Sequence, residues 1–341
     1  MKKIVIDCRY LGMSGIGRVL EGYLQNISFS SEYEFYYWGN PNKLSKYGIE
    51  KNIISNDESP VSKNGLFIDK TINKYDLFFT PNFIIPYGLK IPAYTMIHDL
   101  MFLDYKDSTN NLIDKIIKMH FYKRCIHLSK KIFTVSEFTK SRIKYHFPKC
   151  KTEIITIYNG LSKSIIEYKK SNKKIEKENY IIYVGNIKKH KGLSVLLNAV
   201  EKTDYKVYLV GEYSNFRTKD NIIEKYVKNE NVCFTGKVND DVLFDYISKA
   251  KFLVQPSFYE GFGIPPLEAL FLQTKPIISD IEVFKEIYTG LDVEFFKKGN
   301  SEDLFKKLEE TDYNVSQLRA DVLEKYSYKH AFEKIINCMI K

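Results

Sequence analysis

Short, almost uncharged apolar runs alternate with longer helical stretches along most of this 341-residue chain, and the alternation happens twice. The first series has strand candidates at Lys3–Asp7, Glu34–Trp38, Leu77–Phe79, Ala93–Ile97, Lys131–Val135 and Ile154–Ile157. Helical patterns lie at Ile16–Ile27, at Leu112–Ser129 and at Thr139–His146, the last behind a Ser136 N-cap. From Ser162 to Asn179 the composition turns to Lys, Ser, Asn and Glu without apolar periodicity, which reads as a linker. The second series then runs through strands Tyr180–Val184, Lys206–Val210, Val232–Thr235, Phe252–Val254 and Pro276–Ile278. Its helices are expected at Leu193–Glu201, Asn221–Lys228, Asp241–Ala250 and Pro266–Phe271, with a last one at Tyr328–Ile340. Two βα series imply an α/β chain with two Rossmann-like parallel sheets facing across a cleft. The expected domains are 1–165 and 180–325, joined by linker 166–179, with 326–341 as a C-terminal helix.

The length suits two cores, and 44% apolar content suits globular ones. Five scattered cysteines form no Cys-x-x-Cys pair, which argues for a reducing compartment and against a disulfide framework or zinc site. Met1-Lys-Lys-Ile-Val-Ile-Asp7 meets charge too soon for a signal peptide, and no apolar run approaches the ~20 residues of a membrane span. A cytoplasmic protein is expected. Its formal charge is +10, and residues 1–165 hold 24 Lys and Arg against 15 Asp and Glu, so the excess lies in the first half. No nucleic-acid fold signature accompanies it, so a phosphate-bearing acceptor or an anionic membrane surface is the better expectation.

The string most telling of function is Pro256-Ser-Phe-Tyr-Glu260-Gly-Phe-Gly263-Ile-Pro-Pro-Leu-Glu268-Ala-Leu270. Strand, glycine turn and helix start form a phosphate-cradling sequence, in which Gly261 and Gly263 let backbone N–H groups approach an anion. Glu260 and Glu268, about two helical turns apart, are expected to face one cleft at different depths. Gly185-Asn-Ile-Lys188-Lys-His190-Lys191-Gly192 follows the first strand of the second series and supplies cations that suit a phosphate-bearing ligand. His98-Asp99 ends a strand, where α/β sheets place ligands, and Asp99 is positioned to fix the His98 tautomer. Gly12-Met-Ser-Gly15-Ile-Gly17-Arg18 follows the first strand, but position 20 is Leu, so the dinucleotide fingerprint is incomplete, and no Walker A lysine follows.

With these strings in this order, the chain resembles the retaining nucleotide-sugar glycosyltransferases of family four, the GT-B type with two Rossmann-like domains. The resemblance implies that Glu260 reaches the donor sugar hydroxyls and that Gly261, Phe262 and Gly263 hold phosphate. It also implies that Glu268 accepts from the ribose hydroxyls and that Lys191, helped by Lys188, sits on the diphosphate. His98 and Asp99 would lie beside the donor sugar, Gly15 and Gly17 would border the diphosphate, and Arg18 would serve the acceptor. Asn159-Gly160 matches a family pair lining the cleft. Where many members have an arginine after the first glycine, this chain has Asn186, and Lys188 or His190 are the candidate substitutes. The details look most like bacterial O-antigen, lipopolysaccharide or capsule enzymes, with GDP-mannose, dTDP-rhamnose or a UDP-hexose as donor. A lipid-linked or oligosaccharide acceptor and peripheral contact with the inner face of the plasma membrane through Leu112–Ser129 follow from that likeness. No metal and no other cofactor are expected, because cations and helix dipoles would carry the diphosphate charge. A nucleotide-sugar epimerase or phosphorylase on the same fold stays open, as does a non-catalytic sugar-nucleotide or glycan-binding subunit.

Overall fold

Ile4, Val5 and Ile6 of strand β1 (Lys2–Asp7) are buried on both faces, as a parallel strand between two helical layers requires. In the computed structural model, which describes residues 1–27, 31–105, 112–171, 175–212, 226 and 229–341, the chain falls into two units. Unit 1 comprises Met1–Gly160 with Glu324–Lys341, and unit 2 comprises Leu161–Leu323. The two Rossmann-like parallel sheets expected from the alternation are both present.

In unit 1, β1 is joined by β2 (Tyr33–Gly39), β3 (Ile53–Ser55), β4 (Leu77–Thr80), β5 (Ala93–Ile97), β6 (Ser129–Thr134) and β7 (Glu153–Thr156). The order is β3-β2-β1-β4-β5-β6-β7, with every pairing parallel. Helix α1 (Ser14–Leu24) buries Val19, Leu20, Tyr23 and Leu24 on one stripe. Helix α2 (Leu112–Leu128) and helix α3 (Glu137–His146) flank β6, and Ser136 caps α3 by accepting from the Thr139 N–H. Unit 2 is built from β8 (Glu178–Val184), β9 (Lys206–Val210), β10 (Val232–Gly236), β11 (Ala250–Gln255), β12 (Lys275–Ser279) and β13 (Glu294–Phe296). Its order, β10-β9-β8-β11-β12-β13, is again wholly parallel. In each sheet the winding direction reverses beside the first strand, between β1 and β4 and between β8 and β11. Such switch points open a crevice at the carboxyl ends of the strands, where ligands of α/β sheets bind.

One expectation needs correction. The polar stretch after Ser162 is not a bare linker, since helix α4 (Lys163–Ser171) fills its first half and β8 begins at Glu178. Ile165 and Tyr168 give α4 a narrow apolar edge that the surrounding lysines conceal, and the Tyr168 hydroxyl lies 3.2 Å from Ser248 Oγ. Strands β3 and β13 went unread because three residues are too few to show a period. The expected helix 221–228 lies outside the described residues apart from Tyr226. Further helices of unit 2 are α5 (Leu193–Val200), α6 (Asp240–Lys249), α7 (Ile264–Phe271), α8 (Glu282–Tyr288) and α9 (Ser301–Glu310). Asn239 caps α6, its side chain accepting from the Val242 N–H. The last helix, α10 (Tyr328–Ile340), is capped by Ser327 and belongs to unit 1. There Tyr23 stacks on Phe332 with ring centroids 5.6 Å apart and meets Tyr328 edge-on at 5.7 Å.

Candidate functional site

A cluster of charge lies at the switch point of unit 2, on two loops. One leaves β8 and runs from Gly185 to Gly192; the other leaves β11 and runs from Pro256 to Gly263. Gly192 has φ +65°, and a Cβ there would stand 2.0 Å from the Pro256 carbonyl oxygen, so only glycine lets the loops touch. The Phe258 N–H donates to the His190 carbonyl at 2.7 Å, which fixes their register. That clamp brings together two residues 69 positions apart: Lys191 Nζ donates to Glu260 Oε1 at 2.7 Å and to Oε2 at 2.8 Å. Glu260 Oε1 also accepts from Ser257 Oγ at 2.7 Å and from Gln255 Nε2 at 3.3 Å.

Burial alone would raise the Glu260 carboxyl, but the Lys191 ammonium, with help from Ser257 and His190, outweighs it and holds the pKa below the ordinary 4.5. His190 moves the other way: burial, and then the neighbouring Lys191, push its imidazole down to about 4 against the pull of Glu260. A neutral His190 cannot replace the missing arginine at position 186, so that expectation is withdrawn for His190 and stays with the exposed Lys188. Asn186 itself ties the exits of two strands together, accepting from the Glu212 N–H at 3.4 Å through its side chain.

Past Glu260 the chain turns through Gly261, the buried Phe262 and Gly263 into α7. Gly263 has φ +88° and lies so close to Phe284 that a Cβ would meet Cε1 at 2.4 Å. Two of the first-turn positions of α7 are Pro265 and Pro266, which carry no N–H. The start of α7 therefore offers fewer backbone donors than an ordinary helix N-terminus. Glu260 is in that turn and Glu268 is on α7, buried to 3% exposure, so the two carboxylates flank the glycine turn as the string implied.

In unit 1 the site candidates are more dispersed. Gly15 and Gly17 are not in a loop but within α1, which starts at Ser14, and a Cβ at Gly17 would meet the Tyr10 carbonyl oxygen at 2.7 Å. Arg18 is half-buried on the same helix. His98 leaves β5 with Nε2 2.8 Å from the Pro81 carbonyl. A carbonyl only accepts, so Nε2 carries the proton and Nδ1 is an acceptor. Desolvation lowers the His98 pKa, opposed by the Pro81 contact and by Asp99. The tautomer is thus set by Pro81 and not by Asp99, whose carboxylate instead accepts from the Met101 N–H at 2.9 Å. Asn159 is buried, with its side-chain oxygen unpartnered among the described residues, and Gly160 lies against the backbone of Ser327 and Tyr328.

The β1–β4 switch point, which motif reasoning missed, holds a different pair. Arg9 forks onto Asp7 with two contacts of 2.8 Å, both side chains at 1% exposure or less, and the guanidinium lies 3.4 Å over Trp38. An Asp-x-Arg at a strand exit was the available signal. Among the described residues no group of three or more His, Cys, Asp or Glu could hold a metal ion, and no helix is long and apolar enough to cross a membrane.

Residues 164–322 match the family Glycosyl transferases group 1. The chain is similar to the O-antigen chain mannosyltransferase RfbU of Salmonella typhimurium, 33% identical over 197 residues, covering 57% of this chain and 54% of that protein. It is 29% identical over 227 residues to an uncharacterized glycosyltransferase of Methanocaldococcus jannaschii, covering 64% and 60% respectively. The chain thus spans between half and about three-fifths of the length of these curated relatives. Among solved structures, Anabaena HepE in complex with UDP and glucose superposes with TM-score 0.71 at 14% identity, covering 99% of each chain. The fold is of the GT-B type.

Proposed function

We propose, for a chain whose second unit carries a Glycosyl transferases group 1 domain, that it transfers a sugar from a nucleotide diphosphate-sugar to an acceptor hydroxyl in bacterial surface polysaccharide assembly. The observation that carries this reading is the Lys191–Glu260 pair, held at a switch point by a clamped glycine loop. An ammonium with 21% side-chain exposure is accessible to an anion, and the diphosphate is the anion that departs when the glycosidic bond breaks. Lys191 and Lys188 then stabilise the leaving charge, each well-placed donor contributing about 3 kcal/mol to the barrier reduction. Glu260 takes donor sugar hydroxyls, Glu268 takes the ribose, and Nδ1 of His98 accepts a further sugar hydroxyl. Arg18 serves the acceptor, a lipid-linked or glycan hydroxyl. Transfer retains the anomeric configuration by front-face attack, with the diphosphate taking the acceptor proton, and needs no metal because these cations and N–H groups hold the phosphates.

GDP-mannose heads the donor candidates because the Salmonella relative is a mannosyltransferase; UDP-sugars follow because the Anabaena structure holds UDP. Helix α2 supports membrane contact. Leu112, Ile113, Ile116 and Ile117 are 72%, 62%, 60% and 49% exposed, and the exposed Lys115 and Lys123 share the helix. We place the protein on the cytoplasmic side, peripheral on an anionic leaflet. The test is turnover of GDP-mannose, dTDP-rhamnose and UDP-glucose in EDTA with polyprenyl-diphosphate-linked acceptors. Transfer with net retention, lost about a hundredfold or more in Glu260→Ala, is the expected result. Turnover that needs an added divalent ion, or that survives in Glu260→Ala, contradicts the reading.

A further inference from the structure

We propose that Ser257 and Gln255 are positioning residues that keep the Glu260 carboxylate oriented and ionised once a donor diphosphate has drawn Lys191 away from it. The inference rests on the reading above, in which Lys191 turns to the diphosphate. It begins from an asymmetry. Glu260 Oε1 accepts from three groups, Lys191 Nζ, Ser257 Oγ and Gln255 Nε2, whereas among the described residues Oε2 accepts from Lys191 alone. One ammonium cannot give its full attraction to a carboxylate and a diphosphate at once. When it goes to the phosphate, Oε2 is bare and faces the ligand, while Oε1 remains anchored by two neutral donors.

Those donors are rigid. Ser257 is fully buried and Gln255 is 1% exposed. The Gln255 amide donates to Ser257 Oγ at 3.2 Å as well as to Glu260, and the Ser257 carbonyl accepts from Ser279 Oγ at 2.5 Å. The single Ser257 hydroxyl proton is therefore directed at Glu260. Turning the amide over would set its oxygen against a carboxylate, so the orientation is fixed by charge. It leaves Gln255 Oε1 buried without a partner, a loss that a purely structural glutamine would not sustain. A carboxylate with 10% side-chain exposure stripped of its cation would otherwise take up a proton and lose an acceptor for sugar hydroxyls. The titratable groups that act on Glu260 are Lys191 and His190 on the β8 loop and Tyr183 on β8, while Lys188 acts on His190. His190 is neutral at pH 7 and cannot replace the lost charge.

The test follows the Glu260 carboxyl directly, by carbon NMR of the full chain labelled at glutamate side-chain carboxyls and assigned with Glu260→Gln. Titrations are run with and without saturating GDP and UDP. In the wild type the Glu260 titration should move up when the nucleotide binds but stay in the acidic range. In Ser257→Ala and in Gln255→Met it should move to higher pH, by about tenfold in proton affinity, and chiefly when the nucleotide is bound; Ser257→Thr should restore it. Ser257→Ala and Gln255→Met both titrating like the wild type in the bound state would overturn the proposal, provided Lys191→Met weakens nucleotide binding. If Lys191→Met binds nucleotide as tightly as the wild type, the underlying reading fails and the proposal falls with it. Gln255→Met keeps the question answerable should Ser257→Ala not fold.

Discussion

The two units share a topology and a switch point, yet the ion pairs they place there differ. Asp7 and Arg9 in unit 1 are sealed: 0% and 1% exposed, forked together, with the guanidinium also bound to the Gly65 carbonyl and laid on Trp38. Lys191 and Glu260 in unit 2 are 21% and 10% exposed and sit on loops. A sealed pair repays its desolvation only while both partners stay, which makes it a structural plug. A pair near water can trade one partner for an incoming anion at small cost, which makes it a site. The ion pair at the switch point is thus sealed in one unit and partly exposed in the other.

The sharpest way to break that contrast is Asp7→Asn, which strands a buried guanidinium. It should lower stability by about 4 kcal/mol, read by denaturant unfolding, with nucleotide affinity unchanged in the folded fraction; replacing both residues by apolar ones should recover most of the loss. Loss of nucleotide binding without loss of stability would mean that unit 1 carries the anion site after all. A smaller effect sharpens the contrast from the other side, since unit 1 would then contribute a surface in place of a charge site. Ile116→Ser with Ile117→Ser should reduce sedimentation with phosphatidylglycerol vesicles several-fold at low salt and leave turnover on a soluble acceptor intact. Equal sedimentation by the double variant would remove α2 from the account.

What the sequence revealed follows the same division. The parallel sheets were legible because strands buried on both faces read as uninterrupted apolar runs, such as Phe252-Leu253-Val254. The loops of unit 2 were legible because Gly192 and Gly263 mark backbone turns that other residues resist. The pairing of Lys191 with Glu260 was not, since it joins residues 69 apart through the register of two loops. The division of helix α2 was not legible, because its apolar residues form two faces. Met119, Tyr122, Cys125 and Ile126 pack inward, while Leu112, Ile113, Ile116 and Ile117 point to water, and a linear reading merges them. Asp99 misled for a local reason: an aspartate at a strand exit satisfies the next turn before it reaches a neighbouring ring.

The central claim is that the partly exposed pair of unit 2, and not the sealed pair of unit 1, receives the nucleotide diphosphate. Thermal unfolding of the wild type and of Lys191→Met, each with GDP and with UDP in EDTA, tests it most directly. At about 100 times the dissociation constant, one nucleotide should stabilise the wild type by roughly 2.7 kcal/mol, and Lys191→Met should lose most of that gain at the same concentration. Equal stabilisation of both proteins, or of neither, would contradict the account.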